Sequence, residues 1–137
     1  MSEENVEICK RVYEFLGSHD PAAGVEAMLE YADPEVILES AVVSGAEGKE
    51  YRGYAGLRAW ATDAEAAFDK LRSTFQEFRD LDDRVLMLGH VIGRGRESGV
   101  VVESQIAFLA TLRAGRIVHA KGFLDWNQAL EAAGLQE

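Results

Sequence analysis

Residues 84–124 read RVLMLGHVIGRGRESGVVVESQIAFLATLRAGRIVHAKGFL, and their reading decides the fold. Apolar and β-branched side chains fill three runs, Arg84 to Gly93, Val100 to Leu112 and Arg116 to Leu124, each bounded by turn residues. Gly95, Ser98 and Gly99 punctuate the first connection. Ala114-Gly115 punctuates the second, where the glycine supplies the positive φ that a tight hairpin asks for. Connections this short join antiparallel neighbours, so the three runs form a meander. A fourth strand precedes them from Ser73 to Leu81, turning at Asp82-Asp83.

Upstream the apolar period is helical. The first helix is expected from about Ser2 to Leu16, with Ser2 as N-cap, Glu3 and Glu4 at the positive helix end, and Val6, Cys9, Tyr13 and Leu16 on one stripe. Asp20-Pro21 starts a second, with Asp as N-cap and Pro at the first helical position, ending near Tyr31. Val36 to Ser40 reads as a short strand, followed by a Gly- and Ser-rich loop from about Ala41 to Lys49. A third helix begins after Gly53 and carries Leu57, Trp60, Ala61, Ala64, Phe68 and Leu71 at helical spacing, to about Arg72. Downstream, Asp125 and Gln128 fit a capping box, and Gly134 and Leu135 fit a helix C-terminus. The predicted order is α-α-β-α-β-β-β-β-α. A mostly antiparallel sheet with helices on one face packs these elements.

The 137 residues make one domain, and 47% hydrophobic with 28% charged residues is the balance of a folded globular chain. A net charge of −10 repels phosphate backbones and anionic lipid, so neither nucleic acid nor membrane is the expected partner. The start, MSEENVEICK, has no basic n-region and no apolar h-region, and a single cysteine cannot form an internal disulfide; a cytoplasmic location is expected.

Three segments resemble the nuclear-transport-factor-2-like superfamily, and within it the SnoaL-like branch common in bacteria. They are Tyr31-Ala32-Asp33-Pro34 before the first strand; Tyr51-Arg52-Gly53-Tyr54-Ala55-Gly56-Leu57-Arg58-Ala59-Trp60 at the start of the long helix; and Leu112 to Ile117 continuing to Phe123-Leu124-Asp125 and Ala129 to Leu135. The resemblance implies an α+β cone with a conical pocket between helices and curved sheet, and a homodimer through the sheet's outer face. It does not imply one activity, because the superfamily holds isomerases, cyclases, dehydratases and non-enzymatic binders.

Three residues are candidates for moving protons in such a pocket. Glu39 shares a strand face with Ile37, and ketosteroid isomerases, which the chain resembles here, carry their proton-shuttling carboxylate at a similar point. Asp125 resembles in position the acid/base of SnoaL-like cyclases and also explains itself as an N-cap. His90, with Leu86 and Leu88, is expected to face the side of Ser104, Ile106 and Phe108. Each has a plain alternative, as a rim carboxylate, a helix cap or a hairpin histidine. Tyr13, Tyr31, Trp60, Phe68, Leu88, Ile106, Phe108 and Leu124 are the candidate ligand-binding residues, with ordinary core packing as the alternative. Tyr13 lies within a residue or so of the steroid isomerases' oxyanion-stabilising tyrosine. Phe108 stands about where those enzymes carry an aspartic acid, so their activity is not expected. A bulge would decide whether His119 and Lys121 or Ala120, Gly122 and Leu124 face the cavity.

No cofactor is implied. Gly93-Arg94-Gly95 lies between strands rather than before a helix, and His19, His90 and His119 lack metal-ligand spacing, so no metal site is expected. Three readings remain: a cofactor-free acid/base enzyme of isomerase, cyclase or hydratase type acting on an apolar substrate; a non-catalytic binder of a hydrophobic ligand; and a filled cone that serves as an interaction scaffold.

Overall fold

Two aspartates set two helix starts as the sequence indicates. In the computed structural model, which describes residues 2–18, 20–40 and 49–135, Asp20 accepts a hydrogen bond from the Ala23 amide at 2.9 Å, with Pro21 opening the helix. Asp125 accepts from the amides of Asn127 and Gln128. The last helix closes with Gly134 at φ 78°, where the Leu135 amide donates to Leu130 O and the Gly134 amide to Glu131 O. These bonds satisfy carbonyls that the helix leaves open.

The elements run α1 (Ser2–Ser18), α2 (Pro21–Leu29), β1 (Ala32–Ser40), β2 (Lys49–Arg52), α3 (Gly53–Ala67), β3 (Phe68–Asp80), β4 (Arg84–Gly95), β5 (Val101–Arg113), β6 (Arg116–Phe123) and α4 (Trp126–Ala132). Among the described residues six strands form one sheet, ordered β2-β1-β6-β5-β4-β3. Only the β1–β6 pairing in it is parallel. The fold is the expected α+β cone. Most of the loop expected from Ala41 to Lys49 falls outside the described residues, as does His19; Lys49 itself opens β2, a strand the sequence reading lacks.

The sheet has two differently used faces. On the inner face Val36, Leu38, Met87, Val91, Ile106, Phe108 and Ala120 join Cys9, Val12 and Tyr13 of α1, Val25 and Met28 of α2, and Leu57, Ala61 and Ala64 of α3 in one buried cluster. On the outer face Leu86, Leu88, Ala107 and Phe123 meet Ala129, Leu130 and Ala133 of α4 in a second. At the inner margin the Tyr51 hydroxyl donates to Asp63 Oδ2 at 2.6 Å, and Lys49 approaches the same oxygen at 3.3 Å, tying β2 to α3. The Tyr51 bond, then Lys49, holds the Asp63 carboxyl below its usual range against some opposing desolvation.

One boundary differs substantially from the sequence reading. The helix expected to reach Arg72 ends at Ala67, and the next strand starts at Phe68 instead of Ser73. Phe68 pairs with Gly95 and Asp69 with Arg94, but Arg72 then pairs with Ile92, so a bulge holds Lys70 and Leu71. In a regular strand Phe68 and Leu71 would face opposite sides. The bulge turns both toward the cone and so reproduces a helix-like spacing of three.

Cys9 is fully buried in α1, and burial pushes its thiol up to about 12. Without thiolate or access it is inert. In native buffer it is expected to resist a disulfide reagent such as Ellman's reagent over hours and to react fully in denaturant. Rapid native labelling would show that α1 opens locally.

Candidate functional site

The interior of the cone holds two small cavities that share a wall. The inner one, about 40 Å³, is enclosed by an aromatic group, Tyr13, Phe75 and Phe108, together with Trp60, Leu71, Val91 and Ile106. Leu16, Pro21 and Ser73 complete it. The outer one, about 60 Å³, lies between Phe68, Leu71, Val91, Gly93, Val102, Ser104 and Leu124. Leu71 and Val91 line both. Val102 and Leu124 are 43% and 39% exposed, which places the outer cavity at the rim.

Each wall has an identifiable local cause. Tyr13 follows Cys9 by one helical turn on the buried stripe of α1 and meets Phe75 edge-on at a ring separation of 5.5 Å. Trp60, on α3, donates its indole N–H to Ser40 Oγ at 3.0 Å, which holds the ring across the end of β1. Gly122 of β6 pairs with Phe108, so no side chain on that neighbour competes with the ring for space.

Polarity inside is sparse. Tyr13 is 2% exposed, and its hydroxyl has no hydrogen-bond partner among the described residues. Burial drives its phenol well above the ordinary range, with Cys9 adding to the effect, so it stays protonated. A buried hydroxyl without a partner costs about 1–3 kcal/mol.

The three proton-moving candidates do not line either cavity. His90 pairs with Gln105, Leu88 with Ala107 and Leu86 with Leu109, whereas Ile106 faces Gly89 and Phe108 faces Met87. The pairing is one residue away from the expected one. His90, Leu86 and Leu88 therefore share a face with Gln105, Ala107 and Leu109, away from Ser104, Ile106 and Phe108. Exposed His90 bonds Gln76 through Nδ1 at 2.6 Å and lies 5.1 Å from the Trp126 ring; Leu88 belongs to the outer cluster. Asp125 caps α4 and is exposed.

Glu39 also lies on the outer face, since its strand neighbours Leu38 and Ser40 are the buried ones. Its Oε2 lies 2.7 Å from Nε2 of His119, with the two side chains 30% and 35% exposed. The sequence showed no acid near His119; the parallel β1–β6 pairing supplies one from 80 positions away. The β6 irregularity falls between Ile117 and His119, and it sends Ala120, Gly122 and Leu124 inward. His119 and Lys121 go outward.

Of the ligand-binding candidates, Tyr13, Trp60, Ile106 and Phe108 line the inner cavity, and Phe68 and Leu124 the outer. Tyr31 lies elsewhere, its hydroxyl accepting from Arg11 at 3.4 Å. Leu71, Phe75 and Val91 were not singled out as ligand-binding; only the strand register, invisible in composition, turns them inward. Among the described residues no three His, Cys, Asp or Glu side chains gather in a metal-binding group. No helix there is long and apolar enough to cross a membrane.

The SnoaL-like domain family matches residues 9–120. The chain belongs to that family. Solved structures agree in fold. A candidate SnoaL-like polyketide cyclase from Jannaschia sp. CCS1 superposes with a TM-score of 0.75 at 18% identity, covering 98% of this chain and 94% of that one. An NTF2-like protein from Burkholderia thailandensis gives 0.72 at 23% identity, covering 96% and 97%. TerC, co-crystallised with polyporic acid, gives 0.73 at 19% identity, covering 96% and 98%. None of the curated proteins matches the chain significantly.

In this SnoaL-like chain the outer-face carboxylates are expected to act on stability alone. Asp125→Ala should cost about 1 kcal/mol through the lost cap. Glu39→Gln should cost less than ~1 kcal/mol, the usual range for a half-exposed pair. Urea unfolding of the two variants measures both, and a loss above ~3 kcal/mol for Glu39→Gln would contradict the placement.

Proposed function

We propose that this chain binds a small, uncharged, largely apolar molecule inside the cone, anchored by one hydrogen bond from Tyr13, without acid/base turnover. The observation that carries the reading is the buried Tyr13 hydroxyl, without a partner among the described residues, in a pocket whose walls are apolar apart from Ser73 and the Trp60 indole. A ligand carbonyl or ether oxygen would satisfy it and recover the lost hydrogen bond. Among the described residues that line the two cavities there is no carboxylate, histidine, lysine or arginine. A charged ligand would be buried without a counter-charge, and a reaction would lack a proton acceptor at neutral pH. TerC, which shares the fold, was co-crystallised with polyporic acid, and this supports a small organic molecule as the ligand class.

The filled-cone scaffold is the second reading, and one number favours it. At about 40 Å³ the inner cavity is far below the ~150 Å³ of an apolar void that accepts benzene. We also propose that the chain pairs as a homodimer through the outer face. It rests on the family likeness and on the strip around Ile37, Glu39, His119 and Lys121, which α4 does not join to its cluster.

Thermal unfolding with acetophenone and with ethylbenzene, nearly equal in size, separates these readings. Saturating ligand at ~100 times its dissociation constant adds about 2.7 kcal/mol to stability. Acetophenone should bind about fivefold tighter than ethylbenzene, the value of one hydrogen bond, and Tyr13→Phe should abolish that difference. Unliganded Tyr13→Phe should be as stable as the parent or slightly more so, because it removes an unsatisfied group. No shift from either compound would support the filled cone.

A further inference from the structure

Two side chains line both cavities. Leu71 and Val91 form their common wall, but the two are held differently. Val91 sits in the middle of β4, paired with Ser73 on one side and Ser104 on the other, and its β-branched side chain is stiff about χ1. Leu71 sits on β3, at the edge of the sheet, inside the bulge between Asp69 and Arg72. The residue before it, Lys70, is held at φ 57°, a left-handed conformation that costs a non-glycine residue about 1 kcal/mol or more.

Opposite the bulge stands Gly93. A Cβ there would lie 2.9 Å from Leu71 Cδ1 and 3.4 Å from Phe68 Cδ1. The absence of a side chain at 93 gives the Leu71 terminus its place, so the position of that terminus depends on residue 93. Strain, an edge strand and a facing glycine coincide at the one side chain whose displacement would join the cavities.

We propose that Leu71 is a movable partition, and that the ligand filling the joined space is an elongated, uncharged molecule. It would run from Tyr13 at the closed end to the rim at Val102 and Leu124. The proposal rests on the reading of the cone as a ligand pocket and adds to it a ligand shape and a residue that sets it. Val102 and Leu124 then form the apolar mouth, which accounts for two of the large apolar side chains left exposed. The polar end of the ligand belongs at Tyr13, and its far end needs no polar group.

Two neutral probes distinguish the outcomes, acetophenone for one cavity and the longer fluorophore N-phenyl-1-naphthylamine for both. Both are titrated into the full chain carrying Leu71→Ala, Leu71→Val or Gly93→Ala, with circular dichroism to verify folding. Leu71→Ala should bind the long probe about tenfold or more tighter than the parent, a larger gain than any it shows for acetophenone. Leu71→Val should shift it the same way by a smaller factor. Gly93→Ala presses on the Leu71 terminus and should weaken the long probe about fivefold. It adds atoms rather than removing them, so it serves even if Leu71→Ala does not fold. Long-probe affinity that ignores all three substitutions while acetophenone still binds would overturn the partition and leave the pocket reading intact. Absence of binding by both probes in every variant would overturn both.

Discussion

The register of β4 against β5 is the constraint on which the rest depends. Met87 opposite Phe108 and Val85 opposite Ala110 place one set of side chains under α1, while Leu86 opposite Leu109 and Leu88 opposite Ala107 place the alternate set under α4. Because a strand alternates faces, this single choice separates two cores with different covers. Shifting β4 by one residue against β5 would turn His90 into the cone and Met87 out of it. Neither change is tolerable without partners for the buried polar groups. Hydrophobic area on both faces therefore fixes the register, and the register fixes the cavity walls.

How much of this the sequence discloses depends on the range of the interaction. Local chemistry is legible: Asp20 before Pro21, Asp125 before α4, and Gly134 after it act on backbone groups within a few residues. The family likeness and the meander give the cone. Non-local choices are hidden. The bulge at Lys70 makes Phe68 and Leu71 mimic a helical stripe, so α3 reads five residues too long. The Glu39–His119 contact joins strands that are parallel neighbours but far apart along the chain. For His90, the expected one-residue shift in hairpin register moved the side chain to the wrong face. The aromatic lining was the easier part, because Tyr13, Trp60 and Phe108 are large apolar groups that a small core buries whichever finer register it adopts.

The two faces differ in chemistry for a physical reason. Each of the three side chains considered for proton transfer lies on the hydrated outer side: His90 beside Gln76, Asp125 at a helix end, Glu39 against His119. Among the described residues that line the two cavities, the polar side chains are Ser73, Ser104, the Trp60 indole and the Tyr13 phenol, and burial holds that phenol in its protonated form. The desolvation that would raise a carboxylate toward a useful base instead acts on a phenol and locks it as a hydrogen-bond donor. Among the described residues, the lining of the two cavities holds no carboxylate or imidazole.

A nearly closed interior and a ligand pocket are compatible once the cost of empty space is counted. A preformed void of ~150 Å³ would destabilise the free protein by roughly 3–4 kcal/mol at 24 cal/mol per Å³, a large share of the stability of a domain this size. Collapse of mobile side chains into the space avoids that cost. Leu71 suits the role, since it lies on an edge strand and faces a glycine, whereas Val91 is fixed between two paired neighbours. A ligand then has to displace only a side-chain terminus and not the fold, and the apolar surface it buries offsets the displacement at about 25 cal/mol per Å². On the ligand-pocket proposal, a small resting volume is what a stable free state requires, and the bulge and facing glycine mark residue 71 as the place where it would open.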